Sequence, residues 1–152
     1  MSYFIQRGTA VKGPFSQAKL KALGKNEIKF HPLDVIKVES MAGATLKKLD
    51  DGSYLASGQN PAVDRYTLVV KSNVDEVTGF RVEALADKSL PAGGPGRVKH
   101  GNFVLSEFHV STSETADAKQ LKSVEFADAT ADFNQKEWLA KSAIDGDLKT
   151  GW

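Results

Sequence analysis

Apolar residues in this chain come in short bursts, and no long helical period competes with them. Val35-Ile36-Lys37-Val38, Tyr54-Leu55-Ala56 and Tyr66-Thr67-Leu68-Val69-Val70 are three such bursts. Phe80-Arg81-Val82-Glu83-Ala84, Phe103-Val104-Leu105-Ser106-Glu107-Phe108-His109-Val110 and Val124-Glu125-Phe126 follow. Between them lie Gly, Asp, Asn and Pro, including the turn signals Asp50-Asp51-Gly52 and Asn60-Pro61. β-Branched and aromatic side chains suit a pleated, half-buried surface. Many short strands with turn residues between them predict a mostly-β chain, an antiparallel β-sandwich or barrel. Residues 80–84 alternate, which puts Arg81 and Glu83 on one face.

The first part of the chain has a different character. Tyr3-Phe4-Ile5 is β-prone, Gly8 and Gly13-Pro14 mark turns, and Ser16 is placed to cap a short helix over residues 17–23. Leu20 and Leu23 share a face of that helix and Gly24 stops it. The chain therefore divides into a small α+β segment, residues 1–24, and a β-sandwich, residues 25–152. Residues 86–101 and 111–119 are expected to be long loops, and residues 134–143 to form one helical turn around Trp138 and Leu139.

Composition narrows the function classes. Of 152 residues, 41% are hydrophobic and 26% charged, a globular balance. The formal charge is only +1, whereas nucleic-acid binders carry a marked basic excess. No apolar run approaches the roughly 18 residues a membrane helix requires. Cysteine is absent, so disulfides and thiolate metal sites are excluded. The first residues carry no apolar core of signal-peptide length, so the cytoplasm is the expected compartment.

The polar clusters favour binding over catalysis. Gly93-Gly94-Pro95-Gly96-Arg97 looks like a phosphate loop, but Pro95 lacks an N–H and the Lys and Ser/Thr of a true P-loop do not follow. A surface loop of unusual φ/ψ is the expectation, with Arg97 meeting an anionic ligand or bracing the loop against a carboxylate. Glu107 and His109 alternate on one strand and would make an acid/base pair. A half-exposed polar strand face is the plainer expectation. No Gly-x-Ser-x-Gly elbow positions a nucleophile, and no enzyme activity is expected. Asp145-Gly146-Asp147-Leu148-Lys149-Thr150 places two carboxylates and a hydroxyl on a glycine-bent loop. Asp145, Asp147 and Thr150 are therefore candidate oxygen ligands for Ca²⁺. The alternative is an Asp-Gly turn leading into a strand at Trp152.

Two stretches resemble known families. Tyr3, Phe4, Gly13-Pro14-Phe15-Ser16, Leu20 and Leu23 are similar to the opening of the bacterial GYF-2 domain, over less than half of such a domain. That resemblance implies an aromatic surface for proline-rich peptides, with Tyr3 and Phe15 as the contact residues. Residues 33–152 resemble a module of large planctomycete cytochrome-c-associated proteins of unknown function. The matching elements include Gly43-Ala44-Thr45-Leu46, Thr78-Gly79-Phe80-Arg81, Gly94-Pro95-Gly96-Arg97 and Gly101-Asn102-Phe103-Val104-Leu105-Ser106-Glu107-Phe108. Ala143-Ile144-Asp145-Gly146-Asp147 with Thr150-Gly151-Trp152 closes the match. That last block is also similar to the Ala-x-Asp-Gly…Thr-x-Trp pattern of discoidin-type and carbohydrate-binding galactose-binding-like domains. The resemblance implies a jelly roll, a structural calcium near the closing loop and carbohydrate-binding ancestry. Those relatives are normally exported, and their pattern continues beyond the tryptophan, so an incomplete jelly roll with exposed, self-associating strand edges is expected.

A non-catalytic binding or domain-packing module follows from these readings. Its partner would be a glycan or a neighbouring protein domain, met by Arg97, Trp138 and Trp152. A protein-interaction adaptor acting through Tyr3 and Phe15 is the alternative.

Overall fold

The computed structural model describes residues 2–7, 30–72, 76–114 and 120–152. Phe15, the expected helix over residues 17–23 and the second half of the expected loop at 111–119 lie outside the described residues, as does the side chain of Tyr3. The described chain is mostly β, and every strand pairing in it is antiparallel. Seven strands are present: β1 (Ser2–Arg7), β2 (Asp34–Ser40), β3 (Ala44–Lys48), β4 (Tyr54–Gly58), β5 (Tyr66–Lys71), β6 (Phe108–Ser113) and β7 (Lys122–Val124). Five of them form one sheet in the order β2-β5-β1-β6-β7, and β3 and β4 form a separate hairpin.

The strand from the N-terminal segment is central. β1 pairs with β5 on one side, Ser2 opposite Lys71, and with β6 on the other, Ser2 opposite Ser113. The boundary drawn at residue 24 thus has strands of one sheet on both sides. Tyr3 stands opposite Val70 and Thr112 in that register.

Alternation decides what the sheet buries. Phe108 and Val110 on β6 and Val70 on β5 are buried, while His109 between the first two is exposed. These side chains form a core with Leu105 and Ala143, and Leu68, Val35 and Val124 pack against it from the sheet. Phe80, Phe108 and Phe126 make a ring cluster, with centroids 5.5 to 6.4 Å apart. β2 is an edge strand and carries a bulge between Val35 and Lys37, which leaves Ile36 exposed. A bulge at an edge discourages pairing with another chain.

The layer over the core departs from the expected strands. Residues 80–84 and 103–107 are extended but belong to no ladder. Phe80, Val82 and Phe103 still pack on the core, so alternation reported the inward face correctly. It said nothing about a neighbouring strand, and among the described residues no named strand pairs with either segment. The charged face of residues 80–84 is also largely shielded: Arg81 Nε lies 2.8 Å from Glu83 Oε1, and the Phe30 ring lies over the guanidinium. Burial pushes the Glu83 carboxyl up from its ordinary range, against the opposing pull of Arg81. Leu105 and Trp152 exchange both backbone hydrogen bonds, at 2.7 and 3.0 Å, which ties the last residue to this layer. The expected helical turn over residues 134–143 is confined to a 3-10 turn at Ala140–Ala143. β3 was not expected as a strand. The turn at Asp50-Asp51-Gly52 closes its hairpin with β4 through Leu49 N–H donating to the Ser53 carbonyl at 2.8 Å.

Candidate functional site

Two polar features stand at the loops: a cleft and an oxygen cluster. The cleft, about 330 Å³, lies between the β4–β5 connection and the glycine-rich loop that follows residue 90. Its first wall is fixed by a buried acid. Asp64 accepts from the Ser40 hydroxyl at 2.6 Å, from Ala42 N–H at 2.9 Å and from Arg65 N–H at 2.7 Å. These bonds satisfy a carboxylate that burial would otherwise penalise, and they hold the β4–β5 connection against the β2–β3 turn.

The opposite wall depends on residues without side chains. A Cβ on Gly96 would fall onto the Asn102 carbonyl, and one on Gly94 would lie 2.5 Å from the Gly101 carbonyl. The two arms of the loop meet backbone to backbone, with Gly96 N–H donating to the Gly101 carbonyl at 2.7 Å. Arg97 then braces the loop against the hairpin. Its Nη2 donates to the Gly58 carbonyl at 2.8 Å, and Asn60 Nδ2 donates to the Arg97 carbonyl at 3.1 Å. The brace expected at a carboxylate is thus made to a carbonyl. Between the walls the cleft combines apolar surface from Val63, Tyr66 and Phe103 with polar groups from Arg97, His100 and Asn102.

The oxygen cluster is at residues 142–150. The Thr150 hydroxyl lies 3.0 and 2.9 Å from the two Asp145 carboxylate oxygens, 2.9 Å from the Asp147 carbonyl and 3.3 Å from the Ser142 carbonyl. A hydroxyl has a single proton to give; Asp145 Oδ1 also accepts from Asp147 N–H at 2.8 Å, and the Asp147 carbonyl from Thr150 N–H at 3.1 Å. Asp147 N–H and the Thr150 hydroxyl donate to Asp145 and hold its carboxyl below the ordinary range, with burial opposing them. The Glu107 side chain is a neighbour of Asp145 and also contributes to holding its carboxyl down. The Asp147 carboxylate turns away and accepts from Lys149 N–H at 2.9 Å. Of the three expected ligands, Asp145 and Thr150 therefore meet through their side chains, and Asp147 joins through its carbonyl. Among the described residues no three acidic or histidine side chains gather as a metal-binding group; the cluster consists of two carboxyl groups, a hydroxyl and two carbonyls.

Glu107 corrects one expectation. It is buried rather than part of a half-exposed strand face, because β6 begins only at Phe108. One of its oxygens accepts from Gly146 N–H at 2.7 Å, and the other lies 3.1 Å from His109 Nε2. The pair expected from the spacing of Glu107 and His109 exists, and it also clamps the closing loop. Sequence reasoning missed that link because Gly146 lies far along the chain from Glu107.

The aromatic candidates lie apart from the cleft. The Trp152 indole donates to the Phe133 carbonyl at 2.7 Å, and its ring meets Phe103 edge-on at 5.9 Å, packed against the core. Gly151 lets it come so close: a Cβ there would lie 2.7 Å from the Val104 side chain. Trp138 is partly exposed in a tight turn with Gln135. Of the three expected ligand-binding residues only Arg97 lines the cleft. Asn60, His100 and Asn102 are additions; the signal for them was the turn chemistry of Asn60-Pro61 and Gly101-Asn102, which marked loops without saying that the two loops meet. Comparison with family models, with curated proteins and with solved structures gives no match.

Proposed function

We propose that this chain is a non-catalytic glycan-binding module of β-sandwich type, which receives its ligand in the cleft beside Arg97. The carrying observation is the construction of that cleft. Its walls are fixed by buried or backbone contacts, and its interior mixes apolar surface with a few polar groups, the usual composition of a small-ligand site. Resemblance to galactose-binding-like domains favours a sugar over other ligands of that size. Isothermal titration against a panel of neutral and charged oligosaccharides tests the reading. Binding by the folded protein supports it, and a flat response across the panel would end the glycan version.

The same reading includes a calcium ion at the closing loop. Asp145, Glu107, the Thr150 hydroxyl and the Ser142 and Asp147 carbonyls fit a hard cation that takes oxygen ligands only. The convergence of carboxylate, hydroxyl and carbonyl oxygens within one short loop supports this assignment. When bound, such an ion supplies positive charge among these oxygens. It would fasten the loop to Glu107 and take no part in ligand chemistry. A cation that binds only the folded state raises the melting midpoint. Calcium is expected to raise the midpoint of the wild type, and Asp145→Asn to abolish the rise; an unchanged wild-type midpoint in excess calcium removes the ion.

A further inference from the structure

The cleft's unsatisfied charge is basic. Its lining includes the Arg97 guanidinium, the His100 imidazole, the Asn60 and Asn102 amides and the Ser106 hydroxyl. The single carboxylate among its lining residues is Asp64. Both Asp64 oxygens already accept hydrogen bonds from Ser40, Ala42 and Arg65. The rim is basic as well: Arg97, Lys99 and His100 follow one another within four residues of one turn, and Lys99 and His100 are exposed. The amides and the hydroxyl can donate or accept and so do not discriminate between a neutral and a charged sugar; the charge at the rim does. A group that only accepts, and carries negative charge, suits it better.

We propose that the cleft selects a carboxylate-bearing sugar, a uronic acid residue of an acidic glycan, with the carboxylate at the Arg97–His100 rim and the ring against Val63, Tyr66 and Phe103. This inference rests on the glycan-binding reading and adds the charge of the ligand to it. Charge-assisted hydrogen bonds are stronger than neutral ones. Loss of the carboxylate charge should therefore weaken binding far more than a change of sugar stereochemistry.

Esterification isolates that charge. The probes are trisaccharides of galacturonate and glucuronate, each beside its fully methyl-esterified counterpart, titrated into the whole chain and followed by calorimetry and amide shifts. The expected result is that at least one acid binds about tenfold or more tighter than its ester. Its shifts fall at residues 60–66 and 97–106, and its affinity drops as salt is raised. His100→Ala, an exposed position that leaves the loop contacts intact, should remove most of the preference for the acid. Arg97→Lys serves as the second variant, with its fold checked by the unchanged amide signals of β5 and β6. Esters that bind as tightly as the acids overturn the charge inference and leave the glycan reading in place. Shifts that cluster elsewhere remove the cleft as the site. No binding by acid, ester or neutral sugar overturns both.

Discussion

The sheet and the layer that covers it are built on different rules. In the sheet, each residue is held by a ladder, and a side chain's fate follows from its place in a two-residue period. Val70 and Val110 are almost wholly buried, and His109 between buried neighbours faces water. In the covering layer, residues 80–107 and 126–152 have hardly any ladder. Order there comes from single contacts: a missing Cβ at Gly96, a carboxylate at Glu107, an indole at Trp152. The sheet spreads its stability over many equivalent contacts, while the layer concentrates it in a few that have no substitute.

The largest test of that contrast strikes the middle of the ladder. Proline at position 5 removes a backbone donor from β1, a strand bonded on both sides. Ile5→Pro should be severely destabilising, because a central strand loses a ladder hydrogen bond, and should unfold all five strands together in a denaturant titration. Survival of the β5 and β6 amides would show that residues 1–24 are a separate unit.

The matching test in the layer is Gly96→Ala, where the new methyl group meets the Asn102 backbone. Overpacking of this kind costs about 1–3 kcal/mol. Hydrogen exchange should show the Gly96 and Gly101 amides opening while the ladder stays protected. Gly52→Ala is the control: unlike Gly96 the site has a positive φ, but a Cβ there meets nothing within 4 Å. Its effect should stay near the ~1 kcal/mol of left-handed strain. Val110→Ala, in the sheet, should cost about 2 kcal/mol and lower protection throughout the ladder, a spread the Gly96 change should not produce.

Acid separates the regions more gently. Asp145 has its carboxyl held below the ordinary range by Asp147 N–H and Thr150. Its contribution is therefore present above the unfolded-state pKa and is lost as pH falls through the lower folded value. Asp145→Asn should be less stable at neutral pH and lose less on acidification than the wild type, in melts taken from pH 7 down to pH 2. A parallel acid limb in the two proteins would refute this. The smallest effect belongs to Asp128, whose carboxyl is lowered chiefly by a hydrogen bond from Lys141 on the exposed surface. Asp128→Asn should shift the midpoint slightly, and added salt should erase the difference.

What was legible in the sequence follows the same division. Val35, Val70, Phe108 and Val110 announce their strands because period two is a local property. Asp50-Asp51-Gly52 announces a hairpin because turn chemistry is local too. Residues 80–84 carry a strand's alternation and form none, since whether a partner lies alongside depends on distant segments. At the site, Asp145 and Thr150 were legible because they are neighbours in sequence. Glu107 was not, because its link to Gly146 spans 39 positions. Arg97 stood out by its charge after a glycine run, while Asn60 and Asn102 became visible only when two loops were brought face to face.

The central place of β1 sets a schedule for a chain that is made from one end. Residues 2–7 are synthesised well before their hydrogen-bonding partners, which reach to residue 71 and, on the other flank, to residue 113. Closing loops of that size before any reward is what slows folding in proteins rich in non-local contacts. The β3–β4 hairpin can assemble as soon as residue 58 is free of the ribosome. β1 can pair with β5 once residue 71 is out, but its other flank has to wait for β6, and until then β1 presents a bare edge to whatever else is nearby, including the same strand of another nascent copy.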